Sequence, residues 1–287
     1  MGSSGVFASG TLARRLERAE AGLIEDGAAA ARRRLGDAQV LTVAIAGGVA
    51  VFTEPGSPFN KFAGLGFDGV PDERILDHIE REFSARGTPV QIELSSLGDP
   101  EIARLATRRG YQLVGFENVL GLHLAPNNAD APAAGSGSIS IAPTTPDDDR
   151  AWLDTVTTGF LHPDVIDGPP SHESFDRETL ERVYLDTMAA PGFERFLAWR
   201  AGEIAGGASL RISGGVAQLC GAATLPAHRR RGVQSALLRH RLALAASRGC
   251  DLAVVTTQPG SKSQENVQRS GFSLLYVRAI LVKPPHK

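Results

Sequence analysis

Apolar positions along this chain recur at two spacings, and the switches between them mark out the elements. Over residues 12–35 they return every third or fourth place among arginines, the spacing of one helix face. Residues 39–45 and 49–52 alternate instead and read as strands around the turn Ala46-Gly47-Gly48. Residues 71–85 are helical again, with Asp72 and Glu73 in the first turn, where negative charge suits the helix dipole. Further on, 138–141 is a short strand. Thr145 and Pro146 then open a helix towards Phe160 with the acidic start Asp147-Asp148-Asp149, and 175–188 forms a second helix. Strands at 195–199, 203–212 and 216–224 follow, with Ala201-Gly202 and Ser213-Gly214-Gly215 as hairpin turns, so the pattern predicts an antiparallel meander.

Between these two series, residues 125–138 hold Pro, Ala, Asn, Gly and Ser with no apolar period, the makeup of a flexible linker. The chain divides there into 1–124 and 139–287. A faint repeat links the parts. A helix ending in Arg86-Gly87, a strand at 89–94, a helix at 99–108, Gly110-Tyr111 and a strand at 112–122 match a later series. That series is a helix ending in Arg248-Gly249, a strand at 251–256, a helix at 263–269, Gly271-Phe272 and a strand at 273–282. A glycine–aromatic pair leading into a closing strand at the same place in both predicts a duplicated fold.

Composition narrows the classes of partner. The chain has 287 residues, 42% apolar and 22% charged, with a net charge of −2, which gives no polyanion-binding surface and sets nucleic acid aside. Cys220 and Cys250 are too few for a disulfide framework and sit in apolar stretches, where free thiols behave as small hydrophobes. Residues 1–10 lack the apolar run of a signal peptide, and no stretch approaches the roughly 18 apolar residues of a membrane span. The expectation is a soluble, cytoplasmic protein without a membrane partner; its oligomeric state is open.

Chemistry concentrates where the strand at 216–224 passes through Leu225-Pro226-Ala227-His228 into Arg229-Arg230-Arg231-Gly232-Val233-Gln234-Ser235 and a helix over 233–247. A strand that stops at a basic, glycine-containing turn and hands over to a helix leaves the first helical amides converging on one spot. Such a spot binds anions, the helix dipole and three arginines add positive charge, and Gly232 has no side chain to hold a phosphate away. No Gly-Lys-Ser/Thr follows, and the three-glycine dinucleotide fingerprint is missing.

This segment resembles the pyrophosphate-binding signature of the GNAT acetyltransferases, Arg/Gln-x-x-Gly-x-Gly/Ala, with Arg229 first and Gly232 fourth. Gln234 departs from it at the sixth position. The resemblance implies an α/β (α+β) fold of two GNAT-like domains, each a mixed, mostly antiparallel twisted sheet flanked by helices. Residues 1–124 would be a degenerate copy without a cofactor site, and 139–287 the acetyl-CoA-binding domain. It also implies that Ala222, Ala223 and Thr224 bind the pantetheine arm in a V between splayed strands. The amides from Arg230 through Arg231, Gly232, Val233 and Gln234 to Ser235 would hold the pyrophosphate. Ser263 and Asn266 match the family's closing motif and would touch the pantetheine.

Where many members carry a tyrosine that protonates the leaving thiolate, this chain has Val267, and no base is identified; the strand offers only Gln218 and Cys220 as polar groups. In the loop bordering the acceptor pocket of the family, His162, His172 and Glu173 are candidates to touch substrate. In the first half, the counterpart of the phosphate turn carries Asp68, Asp72 and Glu73, which repel a pyrophosphate, and Pro71, which removes an amide. The expected function is transfer of an acetyl group from acetyl-CoA to the amine of a small metabolite by direct attack in a ternary complex, without a metal. A non-catalytic acyl-CoA sensor, or transfer of a longer acyl group, is the alternative.

Overall fold

The computed structural model describes residues 6–124, 139–163 and 172–285; the expected linker lies outside them. The first half runs α1 (Gly10–Leu35), β1 (Leu41–Ile45), β2 (Gly48–Phe52), β3 (Lys61–Ala63), α2 (Glu73–Ala85), β4 (Val90–Ser95), α3 (Pro100–Arg108) and β5 (Gln112–His123). The second begins β6 (Ile139–Pro143), α4 (Asp149–Leu161), α5 (Arg177–Met188), β7 (Phe193–Arg200), β8 (Glu203–Ser213) and β9 (Val216–Gln218). It continues β10 (Ala223–Thr224), α6 (Val233–Ser247), β11 (Leu252–Thr257), α7 (Lys262–Arg269) and β12 (Ser273–Lys283). Ala46-Gly47, Ala201-Gly202 and Gly214-Gly215 all have positive φ, the backbone that tight hairpins require.

The twelve strands of the described residues join in one mixed, mostly antiparallel sheet, ordered β1-β2-β3-β4-β12-β5-β11-β9-β8-β7-β6 with β10 on β8. Two strands cross between the halves. β12, the last strand of the chain, lies between β4 and β5, with Ile280 opposite Glu93 and Phe116 opposite Ala279. β5, the last described strand of the first half, lies between β12 and β11, with Val119 opposite Thr256. Each half thus completes its sheet with a strand of the other, and the two expected sheets are continuous.

Alternation assigns the faces. On one face, α1 covers Val49, Val51 and Ala63 at one end and Val119, Val216 and Val254 further across. The other face carries Ala50, Ile92 and Leu94 under α2 and α3, and Leu120, Ala217 and Ala253 under α6 and α7. α5 packs beside α1, and α4 packs beside α5. The seam is held by charge as well as by strands: Arg278 of β12 bonds Glu17 of α1 and Glu117 of β5, both at 2.8 Å, and is 2% exposed.

Two elements differ from the sequence expectation. The strand expected at 216–224 is interrupted between Gln218 and Ala223, and the three-residue β3 is an added strand.

Candidate functional site

The interruption is the site. β9 runs parallel to β11, with Val216 opposite Leu252 and Gln218 opposite Val254, and the Leu219 amide donates to the Val254 carbonyl at 2.9 Å. Beyond that point the chain turns away. β10 pairs with β8, while β11 from Val255 to Thr257 pairs only with β5. Between Gln218 and Ala223 one more residue is present than between their partners Arg211 and Gly207, so the strand bulges and a V opens between β10 and β11.

A buried arginine fixes the bulge. The Cys220 carbonyl accepts from the Ser209 amide at 3.2 Å, the Ser209 hydroxyl at 2.9 Å and Arg241 Nη1 at 3.4 Å. Arg241 also donates to the Ser209 carbonyl at 2.9 Å, and burial pulls its pKa down to about 10. Gly221 takes φ +36°, and its amide and that of Ala222 find no acceptor among the described residues. Two donors are therefore left at the point of the V.

At its mouth the basic turn is built as the sequence implies. Arg230 and Gly232 have φ of 60° and 83°, and the first helical bond of α6 runs from the Ala236 amide to the Gly232 carbonyl. Gly232 is the N-cap and supplies no side-chain bond, so the amides of Val233, Gln234 and Ser235 have no intrahelical acceptor. A Cβ on Gly232 would meet only Ile139, at 3.9 Å; the left-handed backbone is what calls for glycine. Arg230 and Arg231 are exposed, but Arg229 is turned inward, donating to the Thr224 carbonyl at 3.4 Å and to the His162 carbonyl. It braces the C-terminal end of α4. The Val233 side chain is core, and Ala223 packs under Gly159 of α4, where an added Cβ would stand 2.3 Å away.

The other lip is α7, which follows β11. Ser261 caps it by accepting from the Gln264 amide; Ser263 is exposed in its first turn, and Asn266 is half-buried one turn on. Val267 is 3% exposed among core residues, so no acid stands at that position.

On the α1 and α5 side, the three loop candidates separate. His162 lies at the end of α4 beside Arg229, while His172 Nε2 lies 3.1 Å from Gln91 Oε1 and Glu173 accepts from Gln91 Nε2 at 3.2 Å. Tyr184 of α5 was absent from the sequence candidates: a Cβ at Gly221 would lie 3.3 Å from its ring and 3.7 Å from its hydroxyl, and burial pushes its pKa up to about 12. Neither polar group of the strand can act as base. Gln218 accepts from Arg211 at 2.7 Å, and burial pushes the Cys220 thiol up to about 12.

In the first half the equivalent V is bridged. The Asp99 amide donates to the Gly66 carbonyl at 2.9 Å across it, and Arg14 of α1 bonds both the Phe67 carbonyl and Asp68.

Residues 162–272 match the Acetyltransferase (GNAT) family. No curated protein matches the chain significantly. Among solved structures, a GCN5-related N-acetyltransferase from Kribbella flavida superposes with a TM-score of 0.65 at 16% identity, over 99% of this chain and 98% of its own. A tandem GNAT protein of the clavulanic acid biosynthesis pathway gives 0.60 at 12% identity, over 91% and 88%. A GCN5-related N-acetyltransferase from Sphaerobacter thermophilus gives 0.55 at 18%, over 75% and 67%. These likenesses are of fold.

Proposed function

We propose that this protein, whose residues 162–272 match the Acetyltransferase (GNAT) family, moves an acetyl group from acetyl-CoA to a small-molecule amine within a ternary complex. The observation that carries the reading is the pairing of an uncapped helix N-terminus with an open strand bulge on one cleft. A pyrophosphate suits the amides of Val233 to Ser235 and the exposed Arg230 and Arg231. A pantetheine amide arm suits the free edges at Ala222 and Val255 to Thr257, with Ser263 and Asn266 at the other lip. The thioester carbonyl would meet the Gly221 and Ala222 amides, which are donors already in place where negative charge develops.

Tyr184 then takes the role for which Val267 is unsuited. Its hydroxyl adjoins the bulge, and its raised pKa keeps it a neutral donor at physiological pH. Cleft and acyl donor belong to the second half, 139–287, and the first half, 1–124, is a copy without coenzyme A. The free thiols Cys220 and Cys250 fit a cytoplasmic setting, and no described helix is long and apolar enough to cross a membrane.

Calorimetric titration with acetyl-CoA tests the reading. One site per chain, lost in a variant carrying Arg231→Ala and Gly232→Glu, is the expected result; no binding to the unaltered chain overturns it. The burial of Val267 favours a second reading, a sensor that binds acyl-CoA without turnover. Release of free thiol from acetyl-CoA in the presence of a panel of amines separates the two.

A further inference from the structure

We propose that the first half builds the acceptor pocket, that the pocket takes a primary amine carrying a second positive charge, and that Glu117 of β5 receives the proton of the reacting ammonium. This rests on the acyl-transfer reading above. Glu117 lies one residue beyond the Asn118–Thr257 pair that ends β11, on the face covered by α1 and α5, the face on which Tyr184 approaches the bulge. Its side chain is 27% exposed, so solvent or substrate reaches it. It comes from the exchanged strand.

The groups facing Glu117 come from four elements: Arg278 on β12 at 2.8 Å, Glu93 on β4, Lys61 on β3 and Glu20 on α1. Burial and then the Glu93 carboxylate push its pKa up to about 7, against the pull of Arg278 and Lys61. A carboxylate poised there accepts a proton near neutral pH. Lys61 is tied to Glu93 Oε1 at 2.7 Å. Glu93 Oε2 makes no hydrogen bond and faces Arg278 Nη1 as an ion pair at 3.8 Å, with the residue 5% exposed. Glu20 is also within electrostatic range of Cys220 at the bulge, which connects the cluster to the cleft.

Charge sets the ligand class. Glu17, Glu20, Glu93 and Glu117 face two cations, Lys61 and Arg278, across the cluster. The excess is negative, and a buried negative excess is relieved by a cation. A diamine brings one ammonium to this field while the other nitrogen reaches the thioester.

In the step itself, the ammonium gives one proton to the Glu117 carboxylate, and the neutral nitrogen attacks the thioester carbon. The C–S bond breaks, the sulfur takes the Tyr184 proton, and the tyrosine recovers one from the nitrogen. Products are the amide, free coenzyme A thiol and one proton, which Glu117 returns to solvent.

The test uses the full chain, saturating acetyl-CoA and butane-1,4-diamine, with butylamine for comparison, from pH 5.5 to 9.5. In the unaltered chain kcat/KM rises with pH through about 7, and the diamine is used at least tenfold better than butylamine. Glu117→Gln lowers kcat/KM by about 100-fold and removes that acidic limb, Glu117→Asp restores part of both, and acetyl-CoA affinity is unchanged in each. A carboxyl NMR titration of the free chain shows a glutamate signal titrating near 7 that is lost in Glu117→Gln.

Retention of the limb, or of a rate within threefold, in Glu117→Gln overturns the assignment. So does a chain that binds acetyl-CoA but neither binds nor acetylates the diamine. Failure of the unaltered chain to bind acetyl-CoA is instead the failure of the acyl-transfer reading, and calorimetry identifies it separately.

Discussion

The N-termini of α2 and α6 occupy equivalent places in the two halves, each following a strand and a turn, yet they are capped and charged in opposite ways. At α2, Asp72 caps its own helix by accepting from the Arg74 amide at 2.7 Å, and Glu73 adds charge to the first turn. Asp68 in the preceding turn is held by Arg14 and Arg18 of α1. At α6 the cap is a glycine with a left-handed backbone and no side chain, there is no acid in the first turn, and exposed Arg230 and Arg231 precede it. Strand order and helix placement are common to both. What distinguishes them is whether the helix dipole is answered from within the chain or left for a ligand. The first half, whose helix start carries its own acids, keeps a strand that the second half pairs with.

Cutting the tie between the halves carries the largest expected effect. Arg278→Ala leaves Glu17, Glu93 and Glu117 without their common cation under α1. Removing one partner of such a buried pair costs about 3–5 kcal/mol, read from urea unfolding. A loss below 1 kcal/mol would show the seam to be held by strand pairing alone. Gly232→Glu comes next: a carboxylate and a side chain at φ 83° stand where the anion should sit. Acetyl-CoA affinity is expected to fall at least 100-fold, about 2.7 kcal/mol, by calorimetry. The reciprocal change, Asp72→Gly with Glu73→Gln, should create no site, because the Asp99–Gly66 bond still bridges that V. Binding there would break the comparison.

Tyr184→Phe sharpens the comparison within the open cleft. It removes a hydroxyl beside Gly221 while keeping the ring, so acetyl-CoA should bind unchanged and kcat should drop by about 10–100-fold. An unchanged kcat would return the thiolate's proton to water.

Local structure and the basic turn before α6 were legible because they depend on neighbours in sequence. The helix period, the glycine turns and the run from Arg229 to Ser235 each carry their own signal. The break after Gln218 was not legible: Leu219, Cys220, Ala222 and Ala223 continue the apolar run, and what bends them is Arg241 of α6, twenty-one positions after Cys220. Strand exchange is equally silent, since β5 and β12 alternate as any strand would and their pairing is set by folding of distant segments. Lys61, Glu93, Glu117 and Arg278 read singly as solvent-facing charges, and only the sheet brings them together. Of the loop candidates, His172 and Glu173 reach that cluster's edge at Gln91, while His162 stays beside Arg229 of the basic turn.

The smallest expected effect is also the cleanest contrast between the two helix starts. Asp72→Ala removes the side-chain acceptor of the Arg74 amide and nothing else of consequence, since Asp72 is exposed. Loss of such a cap costs about 1 kcal/mol, read as a shifted urea midpoint with unchanged slope. Acetyl-CoA affinity should be unaltered. The α6 start runs the other way: it has no cap to lose, so ligand should supply the missing acceptor, and acetyl-CoA at 100 times its Kd should stabilise the chain by about 2.7 kcal/mol. If Asp72→Ala weakened acetyl-CoA binding as well, the two helix starts would be coupled through the shared sheet. The first half would then be tuning the cleft of the second rather than only bounding it.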